Sequence, residues 1–297
     1  MVEVPENYSM NPEQVAQAQS NPLQRYMRQP AIYIKLPSNG LYYPPGSIDL
    51  PQNKEIPVMP MSTRDEITVN TPDALMNGQG VVDMIHSCCP NIKNAWSIPA
   101  TDLDTILIGI RIASYGETMD YTSTCPKCDN ADNYEIDLRN FMDMTVDTTV
   151  YSKPFDYKGM KVFVQPIDYE TINKQNLEQF EQQRLVAMVN NADLTAEDKQ
   201  RRFAEIFTTM TNYTVASIVG SIEKIVTPEG VIVQNQAQIS DFVKNSERQF
   251  YEALKKYMDE IAKAIPSKNV TTTCAECKEK YETPFTFDQA NFIAFAS

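Results

Sequence analysis

Two short cysteine pairs, far apart in the sequence, constrain the fold of this chain more than any other feature. One is Cys125-Pro-Lys-Cys128 and the other is Cys274-Ala-Glu-Cys277. A C-x2-C turn lets two thiolates bind one metal ion, and two such turns supply the four sulfurs of a tetrahedral zinc site. Each pair follows a threonine-rich extended stretch, which is typical of a zinc ribbon. The pattern therefore predicts a structural zinc ion (Zn2+) bound by Cys125, Cys128, Cys274 and Cys277.

About half of the chain separates the two pairs, whereas common zinc modules have about 15 to 20 residues there. A closed loop about tenfold longer adds only roughly 2 kcal/mol of entropy cost. That cost is small beside the about 10 to 16 kcal/mol that zinc contributes in finger peptides. The sequence therefore indicates an α+β fold, in which a zinc-ribbon-like β module contains a largely helical inserted region and follows an N-terminal β and helical region.

This interpretation divides the chain into four parts. We expect an extended N-terminal arm over residues 1–30 and an N-terminal α+β domain with the first cysteine pair over 31–145. The inserted, mainly helical domain covers 146–266. The second cysteine pair and the closing ribbon strand cover 267–297.

Disulfide bonds and a redox role are the alternatives for these cysteines. The N-terminus has no hydrophobic signal segment, which favours a reducing compartment and therefore zinc. A thioredoxin-like redox pair begins a helix, whereas both pairs here follow predicted strands. Because four sulfurs close the coordination shell, the metal is expected to stabilise the fold and to perform no chemistry. Cys88 and Cys89, adjacent on a predicted helix, are interpreted as packing residues.

Composition limits the classes of partner. The chain has 297 residues, of which 42% are hydrophobic, and a formal net charge of −13. Nucleic-acid phosphates require a basic surface, so we expect no nucleic-acid partner, although a ribbon-type nucleic-acid binder stays an alternative. No stretch approaches the about 18 apolar residues that span a membrane, so no membrane insertion is expected.

The N-terminal third has two segments that are candidates for partner contacts. Residues 1–30 are rich in Gln and Asn and have few apolar anchors, which predicts either a flexible tail or an arm that orders on a partner. Ile32–Leu36 and Ile56–Met61 are predicted strands, with a turn at Asn39-Gly40 between them. Leu41–Tyr43 in the connecting loop is interpreted either as a docking patch or as local packing.

Helix and strand signals are clear along the remainder. Thr71-Pro72-Asp73 and Thr101-x-x-Asp104 both resemble helix starts. The first precedes a helical stretch at Val81–Cys89, and the second begins a helix that ends near Gly116. Within the predicted insertion the patterns indicate strands at 146–150 and around the Lys158-Gly159 turn, helices over 171–191, 195–225 and 242–265, and a hairpin at 228–230. Ribbon strands are predicted at 134–138 and 281–287.

No motif of a catalytic site is present. The sequence has no G-x-G-x-x-G or P-loop pattern and a single histidine, His86, without a G-x-S-x-G serine. His86 is interpreted as a packing or surface residue of its helix. We therefore expect a protein that is not an enzyme.

Several ordered segments resemble the T4-type bacteriophage baseplate hub family. They are Leu36-Pro-Ser-Asn-Gly-Leu-Tyr-Tyr43, Met59-Pro-Met-Ser-Thr-Arg-Asp-Glu66, Gly80-Val-Val-Asp-Met-Ile-His-Ser-Cys-Cys89, Asp102-Leu-Asp-Thr-Ile-Leu-Ile108, Arg111-Ile-Ala-Ser-Tyr-Gly116 and Cys125-Pro-Lys-Cys128. The resemblance covers residues 31–140 well and the rest only in outline.

This resemblance implies a structural component of a contractile phage tail, in the hub or inner baseplate, that acts through contacts with other baseplate and tail proteins. It implies assembly in the host bacterial cytoplasm, followed by residence in the virion tail, and is compatible with a homo-oligomer in a symmetric assembly. A transient hub assembly chaperone, absent from the mature virion, is the alternative. No catalytic residues are implied.

Overall fold

A computed structural model describes residues 27–71, 78–142, 147–191, 195–265 and 268–285, together with Leu23. Its elements are β1 (Ile32–Lys35), β2 (Glu55–Val58), α1 (Thr63–Val69), α2 (Gln79–Cys88), α3 (Ala100–Tyr115), β3 (Thr118–Thr124), β4 (Ala131–Asp137), β5 (Phe155–Tyr157), β6 (Met160–Val164), α4 (Tyr169–Asn191), α5 (Ala196–Gly220), β7 (Ile222–Val226), β8 (Ile232–Val233), α6 (Gln236–Asn245), α7 (Arg248–Ala264), β9 (Asn269–Thr273) and β10 (Lys280–Pro284). Short 3-10 helices lie at 95–97, 138–141 and 148–151. Among these described helices, none is long and apolar enough to cross a membrane.

Helix α3 is the central element of the N-terminal part. Apolar side chains are buried on two opposite faces of this helix, as expected for a helix that is enclosed by other elements. Ile106 and Ile110 pack with the β1–β2 hairpin and α2, whereas Ile108 and Ile112 pack against the hairpins β3–β4 and β9–β10. A Cβ at Gly109 would lie 3.1 Å from the Ile34 side chain. Glycine therefore lets β1 pack closely on this helix.

Arg28 attaches the end of the predicted N-terminal arm to this core. Its guanidinium donates to the Pro60 carbonyl at 2.7 Å, to Asp65 at 3.0 Å, and to the carbonyl and hydroxyl of Ser87 at 2.9 and 2.5 Å. Burial raises the pKa of Asp65, but hydrogen bonds from Ser62 and Ser87 and the Arg28 charge lower it more, so the net pKa is below its ordinary value. The chain is thus fixed at residue 28.

Replacing Arg28 by alanine is expected to lower the free energy of unfolding at pH 7 by about 1.5 to 3 kcal/mol, the range for hydrogen bonds to charged groups. Because the folded pKa of Asp65 is lowered, its contribution is present above its unfolded pKa of about 4 and is lost as the pH falls through the folded value. Thermal melts at pH 7 and near pH 3 test this. A stability difference that does not shrink at low pH would contradict it.

The inserted part has its own sheet and core. Strands β5, β6, β7 and β8 form an antiparallel sheet in that order. Helices α5, α6 and α7 cover one face of it, and the core side chains there are Val162, Val164, Ile218, Val219, Ile222, Ile225, Ile239, Val243, Phe250, Leu254 and Ile261. All of these residues lie between the two cysteine pairs in sequence.

A short segment joins this part to the N-terminal core. The Ala100 N–H donates to the Ile167 carbonyl, and the Tyr169 N–H donates to the Ile98 carbonyl, each at 2.8 Å. The Tyr169 ring is 1% exposed and stacks on Trp96 with 5.5 Å between ring centroids. Helix α4 therefore begins within the N-terminal core and leads away from it.

Two helix boundaries predicted in the insertion are wrong. The helix predicted over 195–225 starts correctly, with the Thr195 side chain capping Asp198 N–H, but ends at Gly220. Ile222–Val226 then forms β7 between β6 and β8, because pairing in a sheet overrides local helix propensity. The single helix predicted over 242–265 is two helices, since Ser246 and Glu247 adopt extended backbone between α6 and α7.

Two other local predictions are also wrong. The N-cap of helix α3 is Pro99, two residues before the predicted Thr101 cap, and no side chain caps the helix. Asp104, the other residue of the predicted capping box, accepts a hydrogen bond from Lys268 at 3.0 Å. The neighbouring Asp102 accepts hydrogen bonds from the Ser38 N–H and hydroxyl at 2.8 and 2.5 Å, and burial raises its pKa. The predicted strand at 146–150 is a 3-10 helix over Thr148–Tyr151, with Val146 outside the described residues.

Helix α1 was not anticipated from the sequence, and the Pro72-Asp73 helix start lies outside the described residues. In the β1–β2 loop, Leu41 is 49% exposed, whereas Tyr43 packs against the N-terminal core. Tyr42 contacts the Tyr151 ring edge to face at 5.4 Å. Of the three residues of the predicted docking patch, Leu41 is exposed enough to contact a partner, whereas Tyr42 and Tyr43 pack locally.

Candidate metal centre

The two cysteine pairs are the turns of two equivalent hairpins. In the first, between β3 and β4, Cys125 N–H donates to the Asn130 carbonyl at 2.9 Å and Asp129 N–H donates to the Cys125 carbonyl at 3.0 Å. In the second, between β9 and β10, the Cys274 N–H bonds Glu279 and the Lys278 N–H bonds Cys274 in the same way. Asp129 and Lys278 both have positive φ, at 55° and 58°. Local sequence thus produces the same turn twice.

The structure brings the four cysteine sulfurs together. All four Sγ atoms lie within 4.8 Å of one another. Between the hairpins, the Cys125 and Cys277 sulfurs are 3.6 Å apart, as are the Cys128 and Cys274 sulfurs. A tetrahedral site with Zn–S bonds of about 2.3 Å has sulfur–sulfur edges of about 3.8 Å. The donor set therefore fits a four-coordinate zinc ion.

The separations do not fit disulfides. All four cysteines are free thiols, and a bonded pair would have its sulfurs about 2.05 Å apart. Cys125 and Cys274 are fully buried, Cys277 is half-buried and Cys128 is exposed. In the described part of the chain, these cysteines are the one cluster of three or more His, Cys, Asp or Glu side chains arranged to hold a metal.

Hydrogen bonds from backbone N–H groups lower the pKa of these thiols, but the net pKa differs from one cysteine to the next. Donation from the Cys277 and Glu276 N–H groups lowers the pKa of Cys274 to about 7, although burial opposes this. At Cys128 the Asn130 N–H lowers the pKa, but hydrogen bonding with the neighbouring thiols raises it more, to about 12. Because neighbouring thiolates repel one another, some of the four thiols stay protonated when no metal is bound. A divalent cation stabilises the thiolates directly and so allows all four to lose their protons.

Contacts beyond the sulfurs also hold the hairpins together. Lys127 and Glu279, one from each turn, form an ion pair at 2.6 Å. Below the site, Phe285 after β10 stacks on Phe141 with a centroid distance of 4.5 Å, and the Tyr121 hydroxyl donates to the Pro284 carbonyl at 3.1 Å. Sequence reasoning missed these pairs, since no local signal relates residues about half of the chain apart.

The remaining cysteines and the histidine lie elsewhere. Cys88 and Cys89 are fully buried in the N-terminal core, and burial raises the pKa of Cys88 to about 12. The predicted packing role of both cysteines is confirmed. His86 is at the surface of α2, where its Nε2 accepts the Ala95 N–H at 3.0 Å. This hydrogen bond is consistent with a structural role.

Comparison with known proteins gives the family. The model of a family described as T4 bacteriophage base plate protein matches residues 46–294, which includes both cysteine hairpins and everything between them. No curated protein and no solved structure matches significantly. Because the match spans most of the sequence, this chain belongs to the T4 bacteriophage base plate protein family.

Proposed function

We propose that this chain is a structural component of the hub or inner baseplate of a contractile phage tail, and that it acts through protein–protein contacts. The observation that carries this proposal is the family match over residues 46–294. Its partners are other baseplate and tail proteins, with a second copy of the chain among them. It assembles in the host bacterial cytoplasm and then resides in the virion tail.

The metal centre supports a structural role and not an enzymatic one. We propose that Cys125, Cys128, Cys274 and Cys277 bind Zn2+, which supplies a cross-link between the two hairpins. The four protein sulfurs leave no coordination position for a water or a substrate. Together with the packing against Ile108 and Ile112 of α3, the cross-link makes the hairpins one rigid module that partners can bind.

We also propose that residues 146–266 are a domain inserted into this module. Its support is that, among the described residues, the core beneath the four-stranded sheet is built from side chains of the inserted region. Tyr169 and the strand-like segment before it attach this region to the N-terminal core, and Tyr151 adds a contact with Tyr42. A zinc cross-link at the base of the insertion would hold its two ends together, so the domain could present partner contacts at a defined position.

Quantitative mass spectrometry of purified phage particles tests the role. We expect a fixed stoichiometric amount of the protein in each particle, because a structural subunit is retained after assembly. Its absence from particles, together with abundance in infected-cell lysates, would contradict a virion role and identify a transient assembly chaperone.

The same measurement tests the N-terminal arm. Removing residues 1–22 leaves the Arg28 contacts intact, so the truncated protein is expected to fold with unchanged melting. If the arm orders on a neighbouring protein, incorporation into particles is lost. A full-length copy expressed in parallel is the control, and normal incorporation of the truncated protein would contradict a docking role for the arm.

A further inference from the structure

An apolar cavity lies where the inserted part meets the N-terminal core. Its volume is about 290 Å3, roughly twice that of an engineered apolar cavity that binds benzene. The last turns of α7 form one wall, and the start of α3 and the segment that leads into α4 form others. The apolar side chains that line it include Ala100, Val164, Pro166, Met258, Ile261 and Ile265.

The lining determines which chemistry the cavity accepts. No Asp, Glu, Lys or Arg among the described residues lines it, so it offers no ion-pair partner to a charged ligand. One of its hydroxyl groups is already used within the fold, since Ser221 donates to the Ile218 carbonyl at 2.7 Å. Covering apolar surface stabilises a contact by about 25 cal/mol for each Å2 removed from water. The cavity therefore fits bulky apolar side chains.

The last described residue, Phe285, lies close to this cavity. Its N–H donates to the Lys268 carbonyl at 2.7 Å, and Lys268 is three residues after the lining residue Ile265. The Lys268 ammonium donates to Asp104 at 3.0 Å, one turn along α3 from the lining residue Ala100. Three residues span at most about 11 Å and hydrogen-bonded neighbours are about 5 Å apart, so Phe285 lies within about 16 Å of Ile265.

Two large apolar residues beyond Phe285 have both the chemistry and the reach to fill the cavity. Residues 286–297 lie outside the described residues. They contain a mainly polar stretch, Asp288-Gln-Ala-Asn291, which is followed by Phe292 and Ile293. Seven residues of extended chain reach about 23 Å. Phe292 and Ile293 can therefore reach the cavity from the end of β10.

We propose that Phe292 and Ile293 occupy this cavity, so that residues 286–297 bind back onto their own chain. The segment then connects the cysteine hairpins with α3 and α7, and it removes the apolar lining from water. A tethered segment has a high effective concentration, which favours it over a segment of another chain. The proposal does not depend on the baseplate role.

Alkylation of an introduced cysteine tests the proposal. In the zinc-loaded full-length chain, Ile293→Cys should react with a maleimide at least about tenfold more slowly than Ile232→Cys, because the cavity covers its side chain. Ile232 is 62% exposed on β8, so it provides the same substitution at an open position. The unmodified chain gives the background reaction of its own cysteines, of which Cys88 and Cys89 are buried.

Filling the cavity from its wall should release the segment. Ala262 lines the cavity, so the ring introduced by Ala262→Trp competes with Phe292 and Ile293. Alkylation of Ile293→Cys should then rise to the rate of Ile232→Cys. Ala264→Trp is the matched control, because Ala264 is an exposed residue of α7 that is not among the described lining residues. It should leave the slow rate unchanged, and circular dichroism melts confirm that each variant is folded.

Three outcomes would overturn the proposal. One is equal alkylation of Ile293→Cys and Ile232→Cys, and another is slow alkylation of Ile293→Cys that Ala262→Trp does not change. The third is a slow rate that rises when the protein is diluted, since this would assign the cover to a second copy of the chain.

Discussion

Replacement of Cys125 or Cys274 by serine is expected to abolish zinc binding, so that one zinc ion per chain falls to none. Both sulfurs are buried at the centre of the four-cysteine cluster. The free energy of unfolding should fall by about 3 to 5 kcal/mol, less than zinc contributes in isolated fingers. The reduction is smaller here because Phe141, Phe285 and their neighbours hold the hairpins together without metal. The melting temperature should fall by about 10 °C.

Three measurements test this prediction: metal analysis by mass spectrometry, thermal melting and hydrogen exchange. Exchange should accelerate in β3–β4 and β9–β10, while the β5–β8 sheet stays protected, because its core is separate. Cys89→Ala is the matched control, since Cys89 is equally buried but far from the cluster. The Cys89→Ala variant should be less stable than the unmodified chain but should still bind one zinc ion. A purified chain without metal, whose melting is unchanged in Cys125→Ser, would contradict the zinc assignment.

Zinc retention should also depend on pH in one direction. Thiolates bind the metal, so protons compete with it and the apparent affinity falls as the pH falls. Backbone N–H groups lower the pKa of Cys274 to about 7, so a large fraction of this side chain is already the metal-binding thiolate near neutral pH. Acidification followed by metal analysis of the same samples extends the test without a further variant.

Tyr169→Ala is expected to loosen the junction between the inserted part and the N-terminal core. The ring is fully buried between Trp96 and core side chains, including Ile172. Truncating a large buried aromatic side chain leaves a cavity and typically costs about 3 to 5 kcal/mol. Because α4 begins at this residue, we expect the loss of stability to be accompanied by new proteolytic cleavage near residues 165–170.

Tyr33→Ala is the matched control for this prediction. Tyr33 is 63% exposed on β1, so its truncation should change stability by no more than about 0.5 kcal/mol. Denaturant unfolding of the two variants measures both effects. Equal stability of Tyr169→Ala and the unmodified chain would contradict this prediction and assign the junction to other contacts, such as the backbone hydrogen bonds of residues 98–100 with 167–169 and the Tyr42–Tyr151 ring contact.

Local sequence patterns predicted much of the fold correctly. Helix α3 ends at Gly116 as its glycine indicated, and Thr195 caps α5. The Lys158-Gly159 turn joins β5 and β6. These signals succeed because caps and tight turns depend on residues within about four positions of one another. The break at Ser246 and the strand at Ile222–Val226 were missed, since sheet pairing and helix packing there involve distant residues.

The cysteine spacing, the acidic net charge and the ordered motifs were enough to predict the two cysteine turns and the family resemblance. It took the folded structure to show that the turns meet, that Lys127 pairs with Glu279, and that Arg28 attaches the N-terminal segment to Asp65. A turn is specified by its own few residues. Which turns meet is specified by the packing of side chains such as Ile108 and Phe285 onto one helix, and no spacing in the sequence encodes that contact.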